Sequence, residues 1–295
     1  MRWLFTSQHW MTYFWRSPAN RRPKRRQNNM SVKLEFDTRP KYITAVTDSL
    51  TMIRRSSTHI IRNTDQLLGT FFQPIMFLVL FTAVFGGAIA TEGGNYTNFL
   101  MAGIIVQTIA FGSTTTAIAI CNDLQRGIVD RFRSLPMSNL AVLNGHVVSD
   151  LFRNGISTIV MVVAGLVIGF RPNADFGEWL VFIGLIALFT LAISWLSAII
   201  GLLAKSVEGV QWMTFVAIMP LTFASTAFVP AESMSSWLRP FAENQPVSQM
   251  VDAVRGLLVG TPVGDSVTLS IVWSVAILIV SVPVAAWLFK RKTSQ

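Results

Sequence analysis

Few residues in this chain have the types and spacing that chemistry requires. Gly201–Ser206 (GLLAKS) ends in a Lys-Ser pair, as a phosphate-cradling loop does. It lacks a glycine directly before the lysine, and it follows an apolar run where a nucleotide-binding strand would stand. A helix end whose Lys205 reaches toward the polar interface accounts for it better. Cys121 is the only cysteine, and His9, His59 and His146 are scattered, so neither a disulfide framework nor a metal cluster is expected. The polar groups inside the apolar runs read as neutral: Gln73, Gln107, Ser113, Thr114, Thr115, Thr116, Ser194, Ser197, Thr222, Ser225 and Thr226. A self-powered ion-coupled pump needs buried carboxylates, histidines or lysines. None is expected here, so energy for uphill work must enter through a partner. The chain is expected to catalyse nothing itself and to hold no cofactor or metal.

The elements carrying these residues are defined by what they lack. Six stretches contain no charged side chain: Gln66–Thr91, Gly93–Asn122, Asn154–Phe170, Trp179–Ala204, Gly209–Ala231 and Ser266–Phe289. Roughly 20 residues, rising about 1.5 Å each, cross the hydrocarbon of a bilayer. The third stretch is the short one and needs part of Val147–Arg153 to complete it. A soluble protein would place Lys, Arg, Asp and Glu along its helix faces. The 52% hydrophobic content and 13% charge point the same way. The expected fold is an all-α integral membrane protein with six transmembrane helices, at about 69–90, 98–121, 148–169, 179–203, 211–230 and 266–289.

The net charge of +9 is a topology signal. Of the 24 Lys and Arg residues, 21 fall before the first span, around the second and fourth connections, or in the tail. Only Arg171, Arg239 and Arg255 occupy the other connections. The positive-inside rule then places both termini in the cytoplasm, which an even number of spans also requires. No nucleic-acid role is expected. Residues 1–40 read as a basic, disordered cytoplasmic arm, with RRPKRR (Arg21–Arg26) near anionic lipid and Met30 as an alternative start. Residues 41–292 form the transmembrane domain. It begins with an interfacial helix in Lys41–Leu68, where Ile43, Val46, Leu50, Ile53, Ile60 and Ile61 alternate with arginines.

Two connections stand out. In Asp123–Pro136 (DLQRGIVDRFRSLP), Leu124, Ile128, Phe132 and Leu135 recur on one helical face, and Pro136 stops the helix. Such a helix fits either the groove of a soluble motor or the lipid surface. In Pro246–Gly260 (PVSQMVDAVRGLLVG), Val247, Met250, Val251, Val254, Leu257 and Leu258 form an apolar face, and Asp252 pairs with Arg255 at i, i+3. Proline opens that helix and glycine closes it. It is expected at the outer leaflet, re-entrant or interfacial, or as a lid over the bundle.

These two segments, in this order on six spans, resemble the membrane subunits of ABC-2 type exporters, within them the daunorubicin/doxorubicin-resistance permease group. The inner motif stands here as LQRGIVDRFRSLPMS (Leu124–Ser138), the outer as FVPAESMSSWLRPFAENQPVSQMVDAVRGLLVG (Phe228–Gly260). Gln125 departs from the pattern, since many relatives have an acidic residue there. The resemblance implies a partner ABC nucleotide-binding subunit that holds ATP and Mg, and a second permease subunit, like or unlike. It implies a place in the bacterial plasma membrane among lipid. It also implies that Leu124, Gln125, Arg126, Gly127, Ile128, Arg131, Phe132, Leu135 and Pro136 couple to the ATPase. Pro230, Trp237, Pro246, Arg255 and Gly256 mark the outer gate or re-entrant segment. Gln107, Phe111 and Thr114 are candidates for the substrate pathway. The charge-free, Thr- and Phe-rich spans suit an amphipathic drug or lipid-like cargo. An ion-coupled multidrug carrier and a non-transporting assembly factor are the alternatives.

Overall fold

A computed structural model of the chain describes residues 64–87, 96–126, 139–262 and 264–293. The basic arm, most of the interfacial segment 41–68 and residues 127–136 of the inner motif lie outside these residues. All regular structure among the described residues is helical.

Helix α1 (Thr64–Phe85) carries Pro74 internally. The second apolar stretch forms two helices, α2 (Tyr96–Gly112) and α3 (Thr114–Gln125), separated by a one-residue break at Ser113. Local hydroxyl chemistry accounts for the break. The Ser113 hydroxyl donates to the Ala110 carbonyl at 2.7 Å and Thr115 to the Gly112 carbonyl at 3.0 Å. Both compete with the backbone ladder and bend it.

Helix α4 (Asn139–Ile168) has 30 residues and continues well past the short third stretch, taking Val147–Arg153 into its middle. Helix α5 (Phe176–Leu203) opens on a capping box. There the Glu178 amide donates to Asp175 at 2.7 Å, and the Asp175 amide donates to Glu178 at 2.8 Å. Helix α6 (Val207–Phe223) starts at Ser206, whose side chain accepts from the Gly209 amide at 3.0 Å. The Lys-Ser pair of GLLAKS is therefore a turn and an N-cap between two helices, not a phosphate loop. A 3₁₀ turn (Ala231–Ser233) follows, then α7 (Arg239–Asn244), α8 (Pro246–Val259) and α9 (Ser266–Thr293). On α7 the hydrogen bond from exposed Arg239 to Glu243, 2.6 Å long, raises the guanidinium above its ordinary value.

Among the described residues, four helical spans are long and apolar enough to cross a membrane: Tyr96–Gln125, Val142–Ile168, Phe176–Leu203 and Ser266–Lys292. Phe72–Phe85 and Val207–Phe223 are shorter apolar helices. The core is divided along the bundle. A large cluster packs α2, α5 and α8 together, with Leu100, Ile104, Phe182, Phe189, Met250 and Val254 at its centre. A smaller cluster at the opposite end gathers Ile120, Leu143, Val147, Trp195, Leu202 and Phe289. Helices α4 and α9 keep broad apolar faces outside both clusters, including Ile159, Val167, Ile279 and Val280. Faces of that kind meet lipid or another protein.

Candidate functional site: an arginine hub and a break in the second span

Helix α8 is the structural centre of one end. Eleven of its fourteen residues are buried, so the side opposite its apolar face is covered too. It is a wedge packed into the bundle, with Asp252 left about one-third exposed. Proline at its first position and Gly260 at φ 79° set its ends as the sequence indicates. Arg255 is its hub. Its Nη1 donates to Asp252 at 2.7 Å, its Nη2 to the Thr226 carbonyl at 2.7 Å and its Nε to the Phe99 carbonyl at 3.3 Å. The guanidinium carbon stands 3.7 Å from the centre of the Phe99 ring. Only a planar fork with several fixed donors can serve acceptors on three segments at once.

The first turn of α8 and the residue before it close the end of α6. The Gln245 amide donates to the Leu221 and Ala224 carbonyls at 2.6 and 3.2 Å, and the Ser248 hydroxyl accepts from the Thr226 amide at 3.2 Å. Those carbonyls sit at a helix end that would otherwise leave them unpaired in apolar surroundings. Thr226 also donates to Asp252 at 2.8 Å, and the Tyr96 hydroxyl reaches the Phe228 carbonyl at 3.2 Å. At Gly103 a Cβ would collide with the backbone of Ala227, so α2 can approach this loop only with glycine there. Three elements are thus stitched around α8: α2, the end of α6, and the loop that follows α6.

At the opposite end, α3 is held at two points. Asp123 pairs with His146 of α4 at 2.9 Å, and the Gln125 amide donates to the Lys205 carbonyl at 2.8 Å. Gln125 thus joins α3 to the turn between α5 and α6. Leu124 is packed against the smaller core cluster, and Arg126 is the exposed C-cap of α3. Gly127, Ile128, Arg131, Phe132, Leu135 and Pro136 lie outside the described residues.

The expectation of charge-free span interiors needs correction. Asp150 and Arg153 stand in α4, 1% and 8% exposed, and form an ion pair. Ser194 of α5 donates to the second Asp150 oxygen, and Arg153 donates to the Gly112 carbonyl at 2.7 Å. The Ser113 and Ser197 hydroxyls, 2.8 Å apart, tie the same break to α5. The pair has the i, i+3 spacing of Asp252 and Arg255. The sequence masks the pair, because it edges the short apolar stretch. The span interior therefore holds one buried pair of opposite charges beside the break.

The other expected positions are dispersed. Gln107 is buried in α2, while Phe111 and Thr114 are half-buried on either side of the break. Trp237 is 79% exposed and Pro230 half-buried, whereas Gly256 is buried in α8. No sequence pattern marks Gln245, Ser248, Tyr96 or Phe99 for this hub, although the Pro246 helix start lies beside Gln245 and near Ser248.

Fold and site together describe a multi-pass integral membrane protein with a buried helical wedge at one end and a broken second span. Residues 47–259 match the ABC-2 type transporter family, and the chain belongs to that family. It is 31% identical to the daunorubicin resistance ABC transporter permease protein DrrB1 of Streptomyces coeruleorubidus, over 87% of this chain and 91% of that protein. It is 29% identical to the probable doxorubicin resistance ABC transporter permease protein DrrC of Mycobacterium tuberculosis, over 81% and 87% respectively. The putative transport permease ycf38 of Porphyra purpurea is 26% identical over 75% and 78%.

Proposed function

We propose that this chain is the permease subunit of an ATP-driven exporter. It moves an amphipathic drug or lipid-like compound out of the cytoplasm or inner leaflet of a bacterial plasma membrane. It crosses that membrane six times, with both termini cytoplasmic, and pairs with a second permease subunit. ATP and Mg are bound by a separate nucleotide-binding subunit that docks on residues 124–136. Cargo passes between two permeases as their spans alternate access.

The observation that carries this reading is the similarity, along most of its length, to permeases named for daunorubicin and doxorubicin resistance. The stitched α8 supports it as well. A gate must be held rigidly in each state, and Arg255 ties α8 to both α2 and the end of α6. The driving force is differential binding: nucleotide and cargo must each favour one arrangement of the spans.

The test is reconstitution of the chain with its cognate ATPase in sealed vesicles, followed by ATP-driven movement of a fluorescent anthracycline and of a labelled lipid. Uphill movement that stops on ATP depletion is expected. Movement that persists without ATP under an imposed proton gradient would establish an ion-coupled carrier. Hydrolysis and assembly with no movement of either probe would leave an assembly role.

A further inference from the structure

The Gly112–Ser113 break lies between the hub at one end and the α3 clamp at the other, and it is bordered by unused hydrogen-bonding capacity. On α4, Ser149, Arg153, Asn154 and Ser157 are all buried. The Ser149 and Ser157 hydroxyls, the Arg153 Nε and both polar atoms of the Asn154 amide have no hydrogen-bond partner among the described residues. Asn154 packs against Gly112. Five such atoms on three turns of one helix are hydrogen-bonding capacity that a neighbouring segment can take up.

A moving break would explain them. When α3 tilts about Ser113, the backbone groups bridging the break lose their helical partners. Ser113 now accepts from Thr116 at 3.0 Å and donates to Ile109 at 3.1 Å. Within a membrane, freed backbone groups must find partners in the protein itself. Arg153 and Asn154 stand at that place, and their idle atoms include both donors and an acceptor.

We infer that the break is the hinge of α3 and that Asp150, Arg153 and Asn154 are positioning residues with two settings. In the setting seen here, Arg153 latches the Gly112 carbonyl and Asp150 is held by Ser194. In the other, α3 has swung, the latch to Gly112 is released, and Asn154 with the Arg153 Nε receives the backbone opened at the break. Discrete alternative packings of this kind convert a push at one end of a helix into a switch. The inference rests on the export reading only for the source of the push, which is the ATPase docked beyond Gln125.

Two experiments test it. In a Cys121→Ser background, Ser113→Cys and Ser197→Cys place two thiols where hydroxyls now lie 2.8 Å apart. In the complete complex with its ATPase, the rate of disulfide formation should fall at least fivefold when ATP is trapped by a hydrolysis-deficient partner. An equal rate with and without nucleotide overturns the hinge. This readout needs no cargo, so it separates failure of the hinge from failure of the export reading. The second variant is Asn154→Leu, similar in volume but without polar atoms. A merely structural role predicts a more stable and equally active protein. The hinge predicts a higher melting temperature together with at least a fivefold loss of transport per ATP. Full transport in Asn154→Leu overturns the receiving role of α4.

Discussion

At Arg255 one side chain supports three segments of the chain, and its replacement should show which part of that support is charge and which is geometry. Arg255→Met leaves Asp252 without its cation beside an apolar core. Breaking a buried pair from one side costs about 3 kcal/mol or more. The one-third exposure of the Asp252 side chain places this case at the lower end. Thermal unfolding in detergent should register that loss, with Arg255→Lys in between because an ammonium cannot span the same acceptors. If Arg255→Lys equals the wild type, the fork geometry is immaterial. Gly103→Val should destabilise by about 2 kcal/mol through collision with the Ala227 backbone; an unchanged melting curve would show that the α2 contact can open without loss. The ends of α5 offer a milder control, since Asp175→Ala removes half of a capping box worth about 1 kcal/mol.

At the scale of elements, the functional weight falls on connections. The inner motif is expected to present Ile128, Phe132 and Leu135 to the ATPase. Phe132→Asp with Leu135→Asp should reduce co-purification of the partner at least tenfold while leaving the bundle folded. Undiminished co-purification would move the docking surface elsewhere. Much of the bundle was legible beforehand. Charge-free stretches located the apolar helices, because in lipid a charged face has nowhere to go, and Pro246 and Gly260 marked α8 to the residue. Three features were hidden for physical reasons. The Ser113 break arises from hydroxyls bonding back to carbonyls, and hydroxyls are equally at home in an unbroken span. The Asp150–Arg153 pair cancels its own charge, so it can sit inside where an isolated charge could not. The burial of eleven of the fourteen residues of α8 depends on which elements surround it, and its apolar stripe could suggest only one face.

Across the whole molecule, orientation is the first quantity to measure. A cysteine replacing Trp237, exposed on the loop before α7, should react with a membrane-impermeant maleimide added to intact cells. One replacing Arg126 should react only after the membrane is opened. The reverse pattern would invert the topology drawn from the basic residues. A second whole-molecule property follows from the 30 residues of α4. At 1.5 Å per residue that rod is about 45 Å long, against roughly 30 Å of hydrocarbon. Standing upright, such a rod would extend some 15 Å beyond the acyl chains, and tilt takes up part of that surplus. If the surplus lies toward Asn139, the first turns of α4 form a pedestal above the acyl chains, within reach of a soluble motor. Bilayer thickness then becomes a control on coupling. Reconstitution in lipids of increasing chain length should submerge the pedestal and reduce transport per ATP, and thinner membranes should leave the motor's grip intact.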